Sequence, residues 1–244
     1  MITDIIFSIN VHEKKNFLIK QIKNINDYVS LDYIIVINAN KYMYNEISTC
    51  QFIKSKDNII LNKNYLEKKK YHGSLTEGIY LNMEYAVNNY KFKYFIILSS
   101  KNMFYNNLTC ENYNSLVKIS GGKIYEQMNT NTWHWPSFLK TKLSKYIIEN
   151  KLLFSEVGKQ GDVSHAHEGL TFDYVSCKDI INFFNNNNDI KINLFNWKDC
   201  VEEFALQTIC INMTGYYYQI GNGTHYHKNI KKLPRNNFIY KTKN

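Results

Sequence analysis

Two adjacent carboxylates, Glu202 and Glu203, sit near the start of the apolar segment 201–209. The periodicity of 201–213 predicts a helix, with both acids in its first turn. Negative charge there suits the helix dipole and needs no other role. A carboxylate held at such a place beside a cleft can also act as a general base. Two His-x-His pairs, His165/His167 and His225/His227, could each turn both imidazoles to one side of a strand and hold zinc. Neither pair has the Asp-His continuation of a binuclear hydrolase, so loop placement without a metal is the plainer reading.

His72-Gly73-Ser74 opens a segment with apolar residues at Leu75, Ile79, Met83 and Ala86, a helical period. Ser74 as N-cap and Glu77 three residues on make a capping box. The sharper reading is a helix N-terminus turned toward a ligand, with Gly73 allowing close approach of the backbone. An apolar run over 94–98 ends in Ser99-Ser100-Lys101-Asn102. Ligands of open α/β sheets bind beyond the carboxyl ends of strands, which makes these small polar residues a candidate site or a plain turn. A glycine-rich dinucleotide or P-loop motif, a GxSxG elbow and an Asp-x-Asp pair are all missing.

The elements that must position these residues alternate. Strands are expected over 4–9, 33–38, 58–61 and 94–98, and helices over 14–26 and 74–88. Continuous apolar strands separated by amphipathic helices imply an α/β fold with parallel pairs covered on both faces. Beyond residue 120 the pattern is mixed, with strands at 122–125 and 170–175 and helices over 138–150, 177–185 and 201–213. Asn185–Asn188 reads as a loop. No repeat or linker divides the chain, so residues 1–244 are read as one domain.

The net charge of +9 invites a nucleic-acid reading, but Arg235 is the only arginine among 30 basic residues, beside 34 Asn. Base readout favours the planar fork of arginine, so the basicity reflects composition and no nucleic-acid partner is expected. Five Cys with no CxxC exclude a disulfide framework or a structural zinc site. Residues 1–11 are too short and polar for a signal peptide, and no apolar run approaches the roughly 18 residues of a membrane span. The expected location is cytoplasmic.

Taken in order, several segments resemble the core-2/I-branching glycosyltransferase family and related small glycosyltransferases of large DNA viruses. These are 37–41 after the second strand, His72-Gly73-Ser74-Leu75, Tyr94-Phe95-Ile96-Ile97-Leu98-Ser99 with Asn102, 169–178, and Val201-Glu202-Glu203 with Thr208-Ile209. Asn40 and Asn102 stand where the family has acidic residues, and the family's disulfides have no counterpart. The resemblance implies a GT-A-like fold: a Rossmann-like nucleotide-binding half fused to an acceptor half, around a mostly parallel sheet with flanking helices. It implies inverting transfer from a nucleoside diphosphate sugar, UDP-linked, to a hydroxyl of a glycan, in the host cytoplasm for a viral protein.

In that reading Glu203 is the general base. Asn10, His12, Asn40, His72, Gly73, Ser74, Ser99, Ser100 and Asn102 bind the donor. No cofactor is required, with Mn²⁺ or Mg²⁺ the less favoured case. Lys228, Lys231, Lys232 and Arg235 offset the leaving diphosphate if the tail folds back over the donor; a solvated terminus is the plainer alternative. Trp133, His134, Trp135, His167, Glu168 and Glu202 line an acceptor or sugar pocket, core packing being an equal reading for the tryptophans. Two alternatives remain open: a carbohydrate-binding module without catalysis, and a zinc hydrolase built on the His-x-His pairs.

Overall fold

The computed structural model of the chain describes residues 2–11, 14–67, 69, 72–99, 101–112, 116–120, 123–124, 135–149, 162–163, 169–220 and 238–241. Strand β1 (Ile2–Val11), helix α1 (Lys15–Tyr28), β2 (Tyr33–Ala39), α2 (Lys41–Ser48), α3 (Gln51–Lys54) and β3 (Ile59–Leu61) come first. Helix α4 (Ser74–Asn89), β4 (Lys91–Ser99) and the short β5 (Asn102–Phe104) follow. Then come β6 (Val117–Ser120), β7 (Lys123–Ile124), α5 (Trp135–Phe138), α6 (Lys142–Glu149) and β8 (Asp162–Val163). The chain closes with β9 (Leu170–Asp173), α7 (Tyr174–Asn186), α8 (Asn188–Phe195), a 3-10 turn (Val201–Glu203), α9 (Ala205–Thr214), β10 (Tyr216–Gln219) and β11 (Ile239–Lys241).

Seven strands form one sheet in the order β3-β2-β1-β4-β9-β10-β6. β3, β2, β1 and β4 are mutually parallel. β9, β10 and β6 extend the sheet through antiparallel pairings. β10, antiparallel to an antiparallel strand, runs with the first four, so the sheet is mostly parallel in direction. The result is a mixed α/β architecture compatible with a Rossmann-like fold. The expected alternation holds through β4; the antiparallel extension is what the mixed second half builds.

Alternate strand residues feed two cores. Ile6, Val36, Phe95 and Ile97 face Met83 and Ala86 of α4, Ile180 and Phe184 of α7 and Ile209 of α9. Ile5, Phe7, Ile9, Ile35 and Ile37 face Leu18, Ile22 and Ile25 of α1 with Met43 and Ile47 of α2. Helices thus cover both faces, as the unbroken apolar runs of β1 and β2 require.

Two expectations are corrected. The polar tract at 185–188 is no loop: α7 runs to Asn186 and α8 starts at Asn188, seating Ile190, Leu194 and Phe195 in the core. The helix expected from 201 starts at Ala205, because Phe204 at φ −132° breaks a 3-10 turn from α9. β11 pairs antiparallel with β5, Ile239 opposite Phe104 and Lys241 opposite Asn102, and Phe238 and Ile239 are buried. Residues 238–241 are therefore part of the fold, and a truncation before them removes Phe238 and Ile239 from the second core.

Candidate functional site

The strand order reverses between β1 and β4, which is where open sheets of this kind form a crevice at the carboxyl ends of their strands. Register sets Asn10 of β1 abreast of both Asn38 of β2 and Ser99 of β4. Asn10 is 8% exposed; its amide donates to the Leu75 carbonyl at 2.8 Å. Its Oδ1 is buried and has no partner among the described residues. The end of β1 is thereby tied to the first turn of α4.

Asn40 follows β2 and caps α2, its Oδ1 accepting from the Met43 amide at 2.8 Å. The segment after β3 crosses above it: the Leu66 amide donates to the Ala39 carbonyl and Asn38 donates to the Asn64 carbonyl. This brings Tyr65 against Tyr44 with ring centres 5.1 Å apart. Neither tyrosine was marked by any motif; only the fold brings them together.

The start of α4 departs from the capping box. The N-cap is Gly73 and Ser74 is the first helical residue, its hydroxyl accepting from the Lys69 amide at 3.1 Å. The Ser74 amide donates to His72 Nδ1 at 3.1 Å, the Leu75 amide to the His72 carbonyl and the Gly73 amide to the Trp197 carbonyl. These amides are spent on the chain itself, so the sharper reading of a helix end aimed at a ligand loses most of its donors. His72 accepts only as neutral imidazole, and burial with nearby Lys69 and Lys198 lowers its pKa from the ordinary histidine value. Gly73 is required for another reason. A Cβ there would lie 1.8 Å from the Leu194 carbonyl oxygen, so the close approach it permits is to α8.

Beyond β4 the chain turns sharply. The Ser99 amide donates to Asn102 Oδ1 at 2.7 Å, closing the turn, and Asn102 is 1% exposed. From α1, Gln21 donates to the carbonyls of Ser99 and Asn102 at 2.6 and 2.8 Å. Gln21 Oε1, Ser99 Oγ and Asn102 Nδ2 are buried and without partners among the described residues. Gly169, at φ +88°, donates to the Ile97 carbonyl and accepts from the Ile220 amide, pinning the start of β9 and the end of β10 to β4.

Glu202 and Glu203 occupy the 3-10 turn, which packs against α4 and α9. Both are half-buried, and Glu202 Oε2 is buried. Gln207 donates to the Glu203 carbonyl, and Phe204 stacks on Phe138 with ring centres 4.9 Å apart. Cys200 precedes the turn, its thiol pushed well up by burial and by Glu202, Glu203 and Asp199. It stays protonated, and it hydrogen-bonds Glu202.

The structure thus brings Asn10, Ser99 and Asn102 together at the ends of β1 and β4, with Asn40 at the end of β2 and Gly73 and Ser74 at the start of α4. His12, Ser100, Trp133, His134, His165, His167, Glu168, His225, His227, Lys228, Lys231, Lys232 and Arg235 lie outside the described residues. Trp135 is described only as the first residue of α5. Among the described residues no three His, Cys, Asp or Glu side chains come together to hold a metal ion, and no helix is long and apolar enough to cross a membrane. No protein-family model matches this chain, and no curated protein matches its sequence.

Proposed function

We propose that the protein is an inverting glycosyltransferase that moves a sugar from a nucleoside diphosphate donor, UDP-linked, to a hydroxyl of a glycan. One observation carries this reading. The matched segments, dispersed over residues 37–209, include three that border the carboxyl ends of neighbouring parallel strands: the end of β2, the end of β4 and the start of α4 bound to Asn10. A fourth, which opens β9 through Gly169, is bonded to β4 near its carboxyl end. The acidic turn, the last of them, packs against α4. A parallel nucleotide-type half extended by antiparallel strands is also the arrangement the GT-A-like reading calls for.

In this chemistry the acceptor oxygen bonds to the anomeric carbon as the bond from that carbon to the diphosphate oxygen breaks. Glu203 takes the acceptor proton, and the electron pair leaves on the diphosphate. The charge left there needs stabilising groups. The basic side chains Lys228, Lys231, Lys232 and Arg235 fill that role, with His167 and Glu168 at the sugar.

The test is direct. Purified protein is mixed with a panel of nucleotide sugars and glycan acceptors, and release of nucleoside diphosphate is measured. A donor present at 100 times its dissociation constant also stabilises the fold by about 2.7 kcal/mol, which a thermal melt resolves. Transfer that persists in excess EDTA supports charge stabilisation by side chains. Activity lost with EDTA and restored by Mn²⁺ overturns that part. Sugar binding without turnover identifies a binding module, and stoichiometric zinc with hydrolysis identifies the histidine-pair alternative.

A further inference from the structure

We propose that Gln21 is a positioning residue for the donor end of the site, an inference that rests on the glycosyltransferase reading above. Gln21 lies on the inner face of α1 between Leu18, Ile22 and Ile25, and it is fully buried. An apolar residue of similar length would fill that place without burying an unpartnered amide oxygen such as Gln21 Oε1. Instead its amide nitrogen reaches across to two carbonyls of one turn, those of Ser99 and Asn102. Those two carbonyls flank the reversal between β4 and β5, which the Ser99 amide also clasps through Asn102 Oδ1. The turn carries Ser99 to the crevice between β1 and β4, abreast of Asn10. Its backbone path is therefore set from beneath by a side chain that touches no ligand.

The same helix supplies an internal control. One turn on, Asn24 also makes a pair of bonds to the chain beyond β4, both to Phe104, donating to its carbonyl at 3.0 Å and accepting from its amide at 2.6 Å. Asn24 braces β5 and leaves the turn alone. If Gln21 served only to hold α1 against the chain beyond β4, the two residues would be interchangeable in their effects.

The experiment compares full-length wild type, Gln21→Met and Asn24→Ala by thermal melt and by calorimetric titration with UDP alone. Both variants are expected to melt lower. Gln21→Met is expected to bind UDP about tenfold to a hundredfold more weakly, the range that a small misplacement of site groups produces. Asn24→Ala is expected to stay within about twofold of wild type, a difference near the limit of what a titration resolves. In transfer assays the Gln21→Met defect should appear in the donor KM more than in kcat.

Equal loss of UDP affinity in both variants, or none in Gln21→Met, overturns the proposal while leaving the glycosyltransferase reading in place. Wild type that binds no nucleoside diphosphate overturns the reading itself. Should Gln21→Met fail to fold, Gln21→Glu carries the test. It keeps the length, and only its protonated carboxyl can donate to the turn. Its UDP affinity relative to wild type should then recover as pH falls from about 8 to about 5, across a carboxyl pKa raised by burial. Infrared absorption of the carboxyl reads its protonation: wild-type affinity with the carboxylate charged, or weakened affinity with the carboxyl protonated, overturns the proposal.

Discussion

The two helices whose first turns carried the sharpest sequence signals begin in opposite ways. α4 starts crowded and sealed: Gly73 abuts the Leu194 carbonyl, and the amides of Gly73, Ser74 and Leu75 are each taken by Trp197 or His72. α9 starts from a break: Phe204, buried against Phe138, offers no side-chain cap, and two half-buried carboxylates stand in the 3-10 turn ahead of it. A Gly-Ser pair and a Glu-Glu pair look alike as helix-start signals. Packing separates them, because one start is consumed in joining α4 to α8 while the other holds both carboxylates half-buried in a turn of their own. The first start has a structural duty, and the proposed base belongs to the second.

The strongest way to break this contrast is at the acids. Glu203→Gln keeps shape and hydrogen bonding but cannot take a proton, so transfer should fall by about 10²–10⁴. The melting temperature and donor affinity should stay near wild type. Near wild-type turnover in Glu203→Gln would remove that residue as base and move the role to Glu202, whose carboxylate is already engaged with the Cys200 thiol.

Gly73→Val addresses the other start. The added carbons meet backbone, which cannot swing aside as a flexible side chain can. Overpacking of this kind costs about 3 kcal/mol or more, and at roughly 2–4 °C per kcal/mol for a chain of this size the melt should fall by about 6–12 °C. The sequence reading places Gly73 among the donor-binding residues; the contact with α8 makes loss of stability the leading effect. A Gly73→Val protein with an unchanged melt would show that α8 yields and that the seal is loose.

How far the sequence reveals this molecule depends on the length of each element. β1, β2, β4, α1 and α4 are legible because their apolar runs or periods are long. β5 and β11 have three residues each, too few for any period, and Tyr216–Tyr218 shows no alternation although it forms β10. α8 was hidden by the asparagines before it, yet Ile190, Leu194 and Phe195 already spell one helical face. Glu202 and Glu203 were visible as a candidate, while the break at Phe204 depends on its stacking with Phe138, sixty-six residues away in sequence. Gln21 could have been noticed as a polar residue on an apolar stripe. Its partners could not, because Ser99 and Asn102 are joined to it only by the fold.

Asn82 sharpens the contrast at intermediate size. It lies inside α4, fully buried, donating to Ser8 Oγ and to the Val36 carbonyl at 3.0 Å each and accepting from Asn62. Here an abundant residue type, read from composition as bias, fastens a helix to the sheet. Asn82→Ala strands those groups in the core and should cost about 1–3 kcal/mol, read from a denaturant midpoint. An unchanged midpoint would mean that solvent or rearrangement satisfies them, and that α4 is held by apolar packing alone.

The smallest effect is the dependence of the α4 seal on pH. His72 Nδ1 accepts the Ser74 amide only when the ring is neutral; a proton there sets one donor against another. The neighbouring charges, Lys69 and Lys198, are both positive and act in the same direction. The folded chain therefore holds the imidazole below its ordinary pKa of about 6.5. Unfolding then takes up a proton, so stability rises with pH across this interval. The contribution is complete above the unfolded value and is lost as pH falls through it toward the folded one. His72→Asn keeps an acceptor for the amide but has no proton to gain. The melting temperature of wild type should fall more steeply than that of His72→Asn on acidification below about pH 6.5, the two curves running parallel above it. Parallel curves throughout would show that protonation leaves the seal intact and that the Gly73 contact with α8 alone sets the start of the helix.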